Sequence, residues 1–440
     1  MPESAAPNRR LTPLRASLLF ALVLAIGAAV LFGRGTPSEA APDTPKSVII
    51  LIGDGMGPAQ RMASQLANYG YETTQPMDAL PYAGLSRSQS LAPITDSAAG
   101  ATAIATGVRT HNNFAGVDAD GNDLETLLDT ANKLGKSTGL IDDHDITNAT
   151  MASFGAHVPN RDFKKKIAHQ YAYGSMPDVM FGGNEKFWYT KHDKGKIPDI
   201  YDDDGNNGKE NLVQKLMDDG YQYAYDRKTA AALTGPQALG LYQDDAYIIN
   251  HDYPDYVKEK DPHFVPEEDS VAKALEILGQ DPNGFFLAIE NDELDDAGHE
   301  HDGTTAIEMG GVINRMTEVI NEFRETHPDT LFIITADHET GGMTIEGKGM
   351  KSGNSDPDGH VPSYGKAENV PLKNGATPKR WGPFKVKGST DLFKVDWTTP
   401  GHTGTPVPVT AVGPGAENLT GIYDNTHIHD VAYDVLHEGM

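Results

Sequence analysis

Glu290, Asp295 and His299 stand at spacings that could hold metal ions. Asp295 and His299 are four residues apart, so on a short helix they project from one face. An oxygen and a nitrogen ligand so placed suit zinc, and Glu290 is left for a harder cation. The competing reading is an acidic, solvated loop. Two further positions repeat the pattern: Asp54 between glycines in Gly53-Asp54-Gly55-Met56-Gly57, and the pair Asp337-His338. His402, in a Gly-flanked loop, is free to turn inward as one more ligand. Among possible nucleophiles, Ser97 opens a run of small residues, Ser97-Ala98-Ala99-Gly100-Ala101-Thr102-Ala103. At or near a helix N-terminus, free N–H groups and the dipole would stabilise an alkoxide and a bound phosphoryl group. An ordinary Ser or Asp N-cap accounts for the same residues. Thr150 offers a neutral oxygen, and Arg161 a forked donor suited to phosphate.

Each acidic motif is delivered by an apolar run. Ser47 to Ile52, Phe285 to Ile289 and Leu331 to Ile334 read as parallel strands buried on both faces, and each ends in its carboxylate. In open α/β sheets that edge is where ligands bind. Helices are expected over Leu124–Leu134, Val271–Leu278, Ala306–Arg324 and Asn425–Leu436, with further strands over Lys136–Ile141 and Val407–Val412. Gly53-x-Gly55-x-Gly57 lacks both the dinucleotide-binding spacing and a P-loop lysine. The run Asp202-Asp203-Asp204-Gly205-Asn206-Asn207-Gly208 fails as a calcium loop, because Ile200 would fill its first ligand place. His427 and His429 are expected not to be ligands. Residues 162–284 and 343–399 read as insertions, the second a surface segment rich in Gly, Lys, Pro and Asp.

Composition narrows the function. The 440 residues carry a net charge of −27, which argues against a nucleic-acid partner. There is no cysteine, so thiolate catalysis and thiolate zinc sites are excluded. Arg9, Arg10 and Arg15 precede the apolar stretch Ala16 to Phe32, and Ser38-Glu39-Ala40 follows. That pattern marks residues 1–40 as an export signal or an N-terminal anchor, with the chain periplasmic or secreted. Residues 41–440 form the catalytic domain, and no later stretch is suited to spanning a membrane.

Taken in order, these motifs resemble the alkaline phosphatase family from Val48 to about Leu436. They are Gly-Asp-Gly-Met-Gly, Thr-Asp-Ser-Ala-Ala-Gly-Ala-Thr-Ala, Ala-Thr…His…Arg, Glu-x(4)-Asp-x(3)-His, Thr-Ala-Asp-His-Glu-Thr-Gly-Gly and His-Thr-Gly. The resemblance implies a three-layer α/β/α sandwich around a central, mostly parallel sheet. It implies two zinc ions and one magnesium ion per subunit. Asp295, His299 and His402 would hold one zinc; Asp54, Asp337 and His338, with Ser97 as reacting ligand, the second; Asp54, Thr150 and Glu290 the magnesium. It further implies phosphomonoester hydrolysis at alkaline pH through a phosphoserine, Arg161 clamping the phosphoryl oxygens, and a homodimer. A phosphodiesterase of the same superfamily is the alternative. Two positions depart from better-known members: Asn148, where Asp or His is frequent, and Asp296, where many carry Lys, His or Trp.

Overall fold

The computed structural model describes residues 46–190, 192–193, 195–197, 209–242, 261–347 and 380–438. The N-terminal signal or anchor, the Asp202–Gly208 run and residues 348–379 lie outside them.

Eight strands are labelled in chain order: β1 (Ser47–Gly53), β2 (Tyr82–Arg87), β3 (Ser137–Asp145), β4 (Val179–Gly183), β5 (Gln222–Ala224), β6 (Ala238–Leu241), β7 (Phe285–Asn291) and β8 (Thr330–Thr335). With Val407–Val412 and Gly421–Asp424 they form one ten-stranded sheet. Its order is Gly421–Asp424, β2, Val407–Val412, β8, β1, β7, β3, β4, β6, β5. Only Val407–Val412 runs against its neighbours. The strands expected from their apolar runs lie at the middle, β1 between β8 and β7.

Alternation splits the core into two layers. Val48, Ile50 and Ile52 of β1 face one apolar cluster with Phe286, Ala288, Leu331 and Ile333. Helices Ser97–Thr106, Leu127–Lys133, Ala149–Gly155 and Thr426–His437 cover that face. Ile49 and Leu51 face the other cluster, with helices Pro58–Ser64, Glu267–Leu278 and Gly303–Thr326. Being covered on both sides, the central strands carry apolar residues without a polar alternation, as parallel strands do. The result is the three-layer α/β/α arrangement expected.

Two expected insertions take on definite shape. Within 162–284, β4, β6 and β5 extend the main sheet at one edge instead of lying on its surface. From 343–399, Thr344–Gly347, Phe384–Lys385 and Leu392–Asp396 pair as a separate small antiparallel sheet. Among the described residues, no helix is long and apolar enough to cross a membrane.

Candidate metal centre and nucleophile

Register alone brings the acidic motifs together. Ile52 of β1 stands beside Glu290 of β7 and beside Thr335 of β8, while Asp142 of β3 stands beside Glu290 from the other side. Asp54, Glu290 and Asp337 therefore leave the sheet at one edge within a strand or two of each other. The Asp54 N–H donates to the carbonyl of Asn291 at 3.0 Å, which fixes the turn. Gly55 has φ +70°, and a Cβ there would sit 2.9 Å from both Asp295 Oδ1 and Thr340 Oγ1, so glycine is required at this point.

Helix Ser97–Thr106 docks its N-terminus on the same edge. Asp96 is its N-cap, accepting from the Ala99 N–H at 3.0 Å, which puts Ser97 in the first turn. The small-residue run allows the close approach: a Cβ on Gly100 would lie 3.0 Å from the carbonyl oxygen of Asp337. Ser97 Oγ, almost fully buried, is 3.3 Å from His338 Nε2 and accepts from Arg161 Nη1 at 3.4 Å. Arg161 is steadied by Asp96 Oδ2 at 3.7 Å and donates through Nη2 to Asn148 Oδ1 at 3.2 Å.

Three groupings of ligand atoms lie at this edge, the atoms of each within 4.8 Å of one another, and His338 beside the hydroxyl belongs to two of them. They are Asp295 with His338 and His402, Asp54 with Asp337 and His338, and Asp54 with Glu290 and Asp292. His299 joins the first: its Nε2 is 3.0 Å from Asp295 Oδ2 and 3.1 Å from His402 Nε2. Thr150 completes the neighbourhood of the third, its hydroxyl fully buried. Every site residue expected from the sequence is thus gathered at one place. His427 and His429 belong to none of these groupings, and His427 Nε2 meets the carbonyl of Asn418 at 3.1 Å.

The donor set fits cations. Asp54 Oδ1, Asp337 Oδ2, both oxygens of Glu290 and Thr150 Oγ1 are buried without a hydrogen-bond partner. Acceptors left so would be costly unless a cation met them. Burial first, then the charges of Asp337, Asp295 and Glu290, push Asp54 far above the usual carboxylate range. Burial, with Asp142 and Asp292, does the same to Glu290. Burial with Asp295 raises Asp337 to about 7. Bound cations would remove that penalty. Histidine tautomers point the same way. His299 Nδ1 donates to the carbonyl of Pro400 at 2.6 Å and His402 Nδ1 to that of Thr95 at 2.9 Å. The carbonyls fix a proton on Nδ1 and turn each Nε2 toward the centre, the usual outer support of metal-bound imidazoles. The hydrogen bond to Asp295 raises His299 to about 9, so its Nε2 holds a proton that a cation would replace. Burial, then the neighbouring His402, holds His338 well below the ordinary imidazole range, so it is neutral and able to ligate.

Over residues 45–437 the chain matches the family described as alkaline phosphatase. The chain belongs to the alkaline phosphatase family. Alkaline phosphatase 4 of Bacillus subtilis (strain 168) is 30% identical, the match covering 90% of this chain and 89% of the relative. Alkaline phosphatase 3 of the same organism is 31% identical over 88% of each. The solved structure of a cold-active alkaline phosphatase from the psychrophile Shewanella sp. superposes with a TM-score of 0.69 at 27% identity, covering 89% of this chain and 99% of that one. As an alkaline phosphatase the chain is a metal-dependent hydrolase of phosphate monoesters, and the diesterase alternative is not favoured.

Sequence reasoning missed three residues that this alkaline phosphatase places at the site. Asp292, taken as part of an acidic loop, joins Asp54 and Glu290. His144 Nδ1 lies 2.7 Å from Asp292 Oδ2. Lys164, first of the run Lys164-Lys165-Lys166, donates to Asn148 Oδ1 at 2.7 Å and lies 3.2 Å from Asp145 Oδ2. The only sequence signal was the closeness of Asp292 to Glu290 and of Lys164 to Arg161.

Proposed function

We propose that the chain transfers the phosphoryl group of a phosphate monoester to Ser97 and then to water, releasing inorganic phosphate and an alcohol. One observation carries the reading: a single hydroxyl, Ser97 Oγ, lies within 3.4 Å of both His338 Nε2 and Arg161 Nη1, among the carboxylates that fit cations. Asp295, His299 and His402 would hold one zinc, Asp54, Asp337 and His338 a second, and Asp54, Thr150 and Glu290 a magnesium. When bound, such ions neutralise phosphoryl charge and stabilise the attacking and leaving oxygens of an in-line displacement.

The chain's own residues supply the rest. Ser97 sits in the first turn of its helix, where unpaired N–H groups and the dipole favour the alkoxide that attacks phosphorus. Arg161 presents its guanidinium beside that oxygen, so two phosphoryl oxygens can be gripped at once. Its bonds to Asp96 and Asn148 limit its rotation before substrate arrives. A fork and several cations suit a dianion, and that favours monoesters over diesters.

Finer readings go with this one. Export, periplasmic or secreted, rests on the basic and apolar pattern of residues 1–40. A homodimer rests on the family resemblance alone.

Turnover of an aryl phosphate monoester against its matching diester, on the full chain stripped of metal and then reloaded, tests the proposal. Strong monoester preference restored only by zinc and magnesium together is expected. Diester preference would overturn the substrate reading, and activity restored by zinc alone would overturn the magnesium assignment.

A further inference from the structure

We propose that Asp292 is an additional ligand of the hard-cation site made by Asp54, Thr150 and Glu290, its carboxylate held in place by His144 and Asn148. The inference rests on the three-metal reading above.

Asn148 cannot serve as the ligand itself. Its Oδ1 already accepts from Lys164 at 2.7 Å and from Arg161 at 3.2 Å. Its Nδ2, which has no lone pair to offer a cation, donates to Asp292 Oδ2 at 2.9 Å. The side chain is a spacer between a phosphate-gripping arginine and a carboxylate.

Asp292 has the position and the free atom that Asn148 lacks. It is 8% exposed, and a ligand atom of its carboxylate lies within 4.8 Å of those of Asp54 and Glu290. Both of its side-chain bonds, from His144 at 2.7 Å and from Asn148, end on Oδ2. Among the described residues no hydrogen bond ends on Oδ1. The pocket beside it is also polar and unsatisfied: both oxygens of Glu290, Asp54 Oδ1 and Thr150 Oγ1 are buried without partners. All these donors are oxygens, three of the residues being carboxylates, a set that suits magnesium over zinc. His144 then plays the part that outer-shell partners play around ligating carboxylates, holding one oxygen and leaving the other for a cation. Because Asn148 touches both Asp292 and Arg161, occupation of this site also bears on where the guanidinium sits.

The test is magnesium binding by titration calorimetry on zinc-loaded full chain, wild type against Asp292→Asn, with zinc content measured in parallel. Asp292→Asn is expected to weaken magnesium by at least the roughly 10–100-fold that loss of an outer-shell partner costs, with zinc per chain unchanged. With manganese as a probe in the same site, water-proton relaxivity should report about one more bound water in the variant. Magnesium affinity and relaxivity equal to wild type would overturn the assignment of Asp292. A wild type that takes up no magnesium after zinc loading would instead overturn the three-metal reading beneath it. Should Asp292→Asn not fold, His144→Ala carries the test, since that side chain is only partly buried. Several-fold weaker magnesium binding is expected there, and unaltered binding would overturn the proposal.

Discussion

Removing one carboxylate should make the metal-free protein more stable, although it damages the metal site. The perturbation is Asp337→Asn. Asp337 is fully buried, its Oδ2 has no partner, and burial together with Asp295 raises its carboxyl from 3.8 to about 7. A tenfold weaker tendency to ionise is worth about 1.4 kcal/mol, so ionising this one group in the metal-free fold costs roughly 4 kcal/mol at pH 8. The direction follows from proton counting. Between about 4 and 7 the folded state binds a proton at Asp337 that the unfolded state has lost, so stability falls as pH rises through that window and stays low above it. Asp54 and Glu290, raised by burial first and by their neighbours next, add the same sign. His338, held low by burial, opposes it below pH 6.5, while His299, raised to about 9 by its hydrogen bond to Asp295, adds the same sign above 6.5. Asparagine keeps the oxygen that accepts from the His338 N–H at 2.9 Å, and its amide lies where Oδ2 was, 3.3 Å from His338 Nε2, which can accept. Urea denaturation of chelator-stripped full chain at pH 5 and pH 8 measures the effect. The variant should exceed wild type by about 1–4 kcal/mol at pH 8, with the gap closing towards pH 5. A variant less stable than wild type at pH 8 would refute the view that unpaired carboxylates dominate the metal-free site.

Other substitutions test the reaction. Ser97→Ala should lower kcat by about 10³-fold or more, with zinc content and melting temperature unchanged, because its hydroxyl makes only two long contacts; near-normal turnover would remove Ser97 as nucleophile. Arg161→Ala deletes a charged hydrogen-bond donor worth about 1.5–3 kcal/mol, so kcat/KM should fall about 10–150-fold and phosphate inhibition weaken in step, both read from steady-state kinetics. Asp296→Lys exchanges a negative for a positive charge next to Asp295 on an exposed position. Solvent screening limits the gain to about 1 kcal/mol, so inhibition by phosphate should tighten up to about fivefold, and unchanged inhibition would show that charge at this position does not reach the bound phosphate.

Much of the site was legible because buried strands announce themselves. Ser47–Ile52, Phe285–Ile289 and Leu331–Ile334 are long apolar runs ending in a carboxylate, and the sheet sets them side by side. The helix ends moved outward or inward by a turn, as with Gly303–Thr326 where Ala306–Arg324 was expected. The edge strands were not legible. β5 and β6 have three and four residues, too few to display a period, and became strands only because neighbours offered unpaired backbone. Asp292 and Lys164 were hidden for another reason. Each lies in a segment rich in like charges, Asp292 to Asp296 and Lys164 to Lys166, where composition suggests a solvated surface. Only tertiary packing says which member of such a run turns inward.

The order of strands in the sheet also bears on how the protein is born. β1 pairs with β7 and β8, so Val48 waits for Phe286 and Leu331. A ribosome must add almost 240 residues after β1 before its first partner exists. His402 arrives later still. Contacts this distant in sequence make assembly slow and keep the growing chain free of a finished centre. Catalytic competence is therefore acquired only once His402 has been made, and a fragment released before it holds the acidic groups without the enclosure that makes them useful.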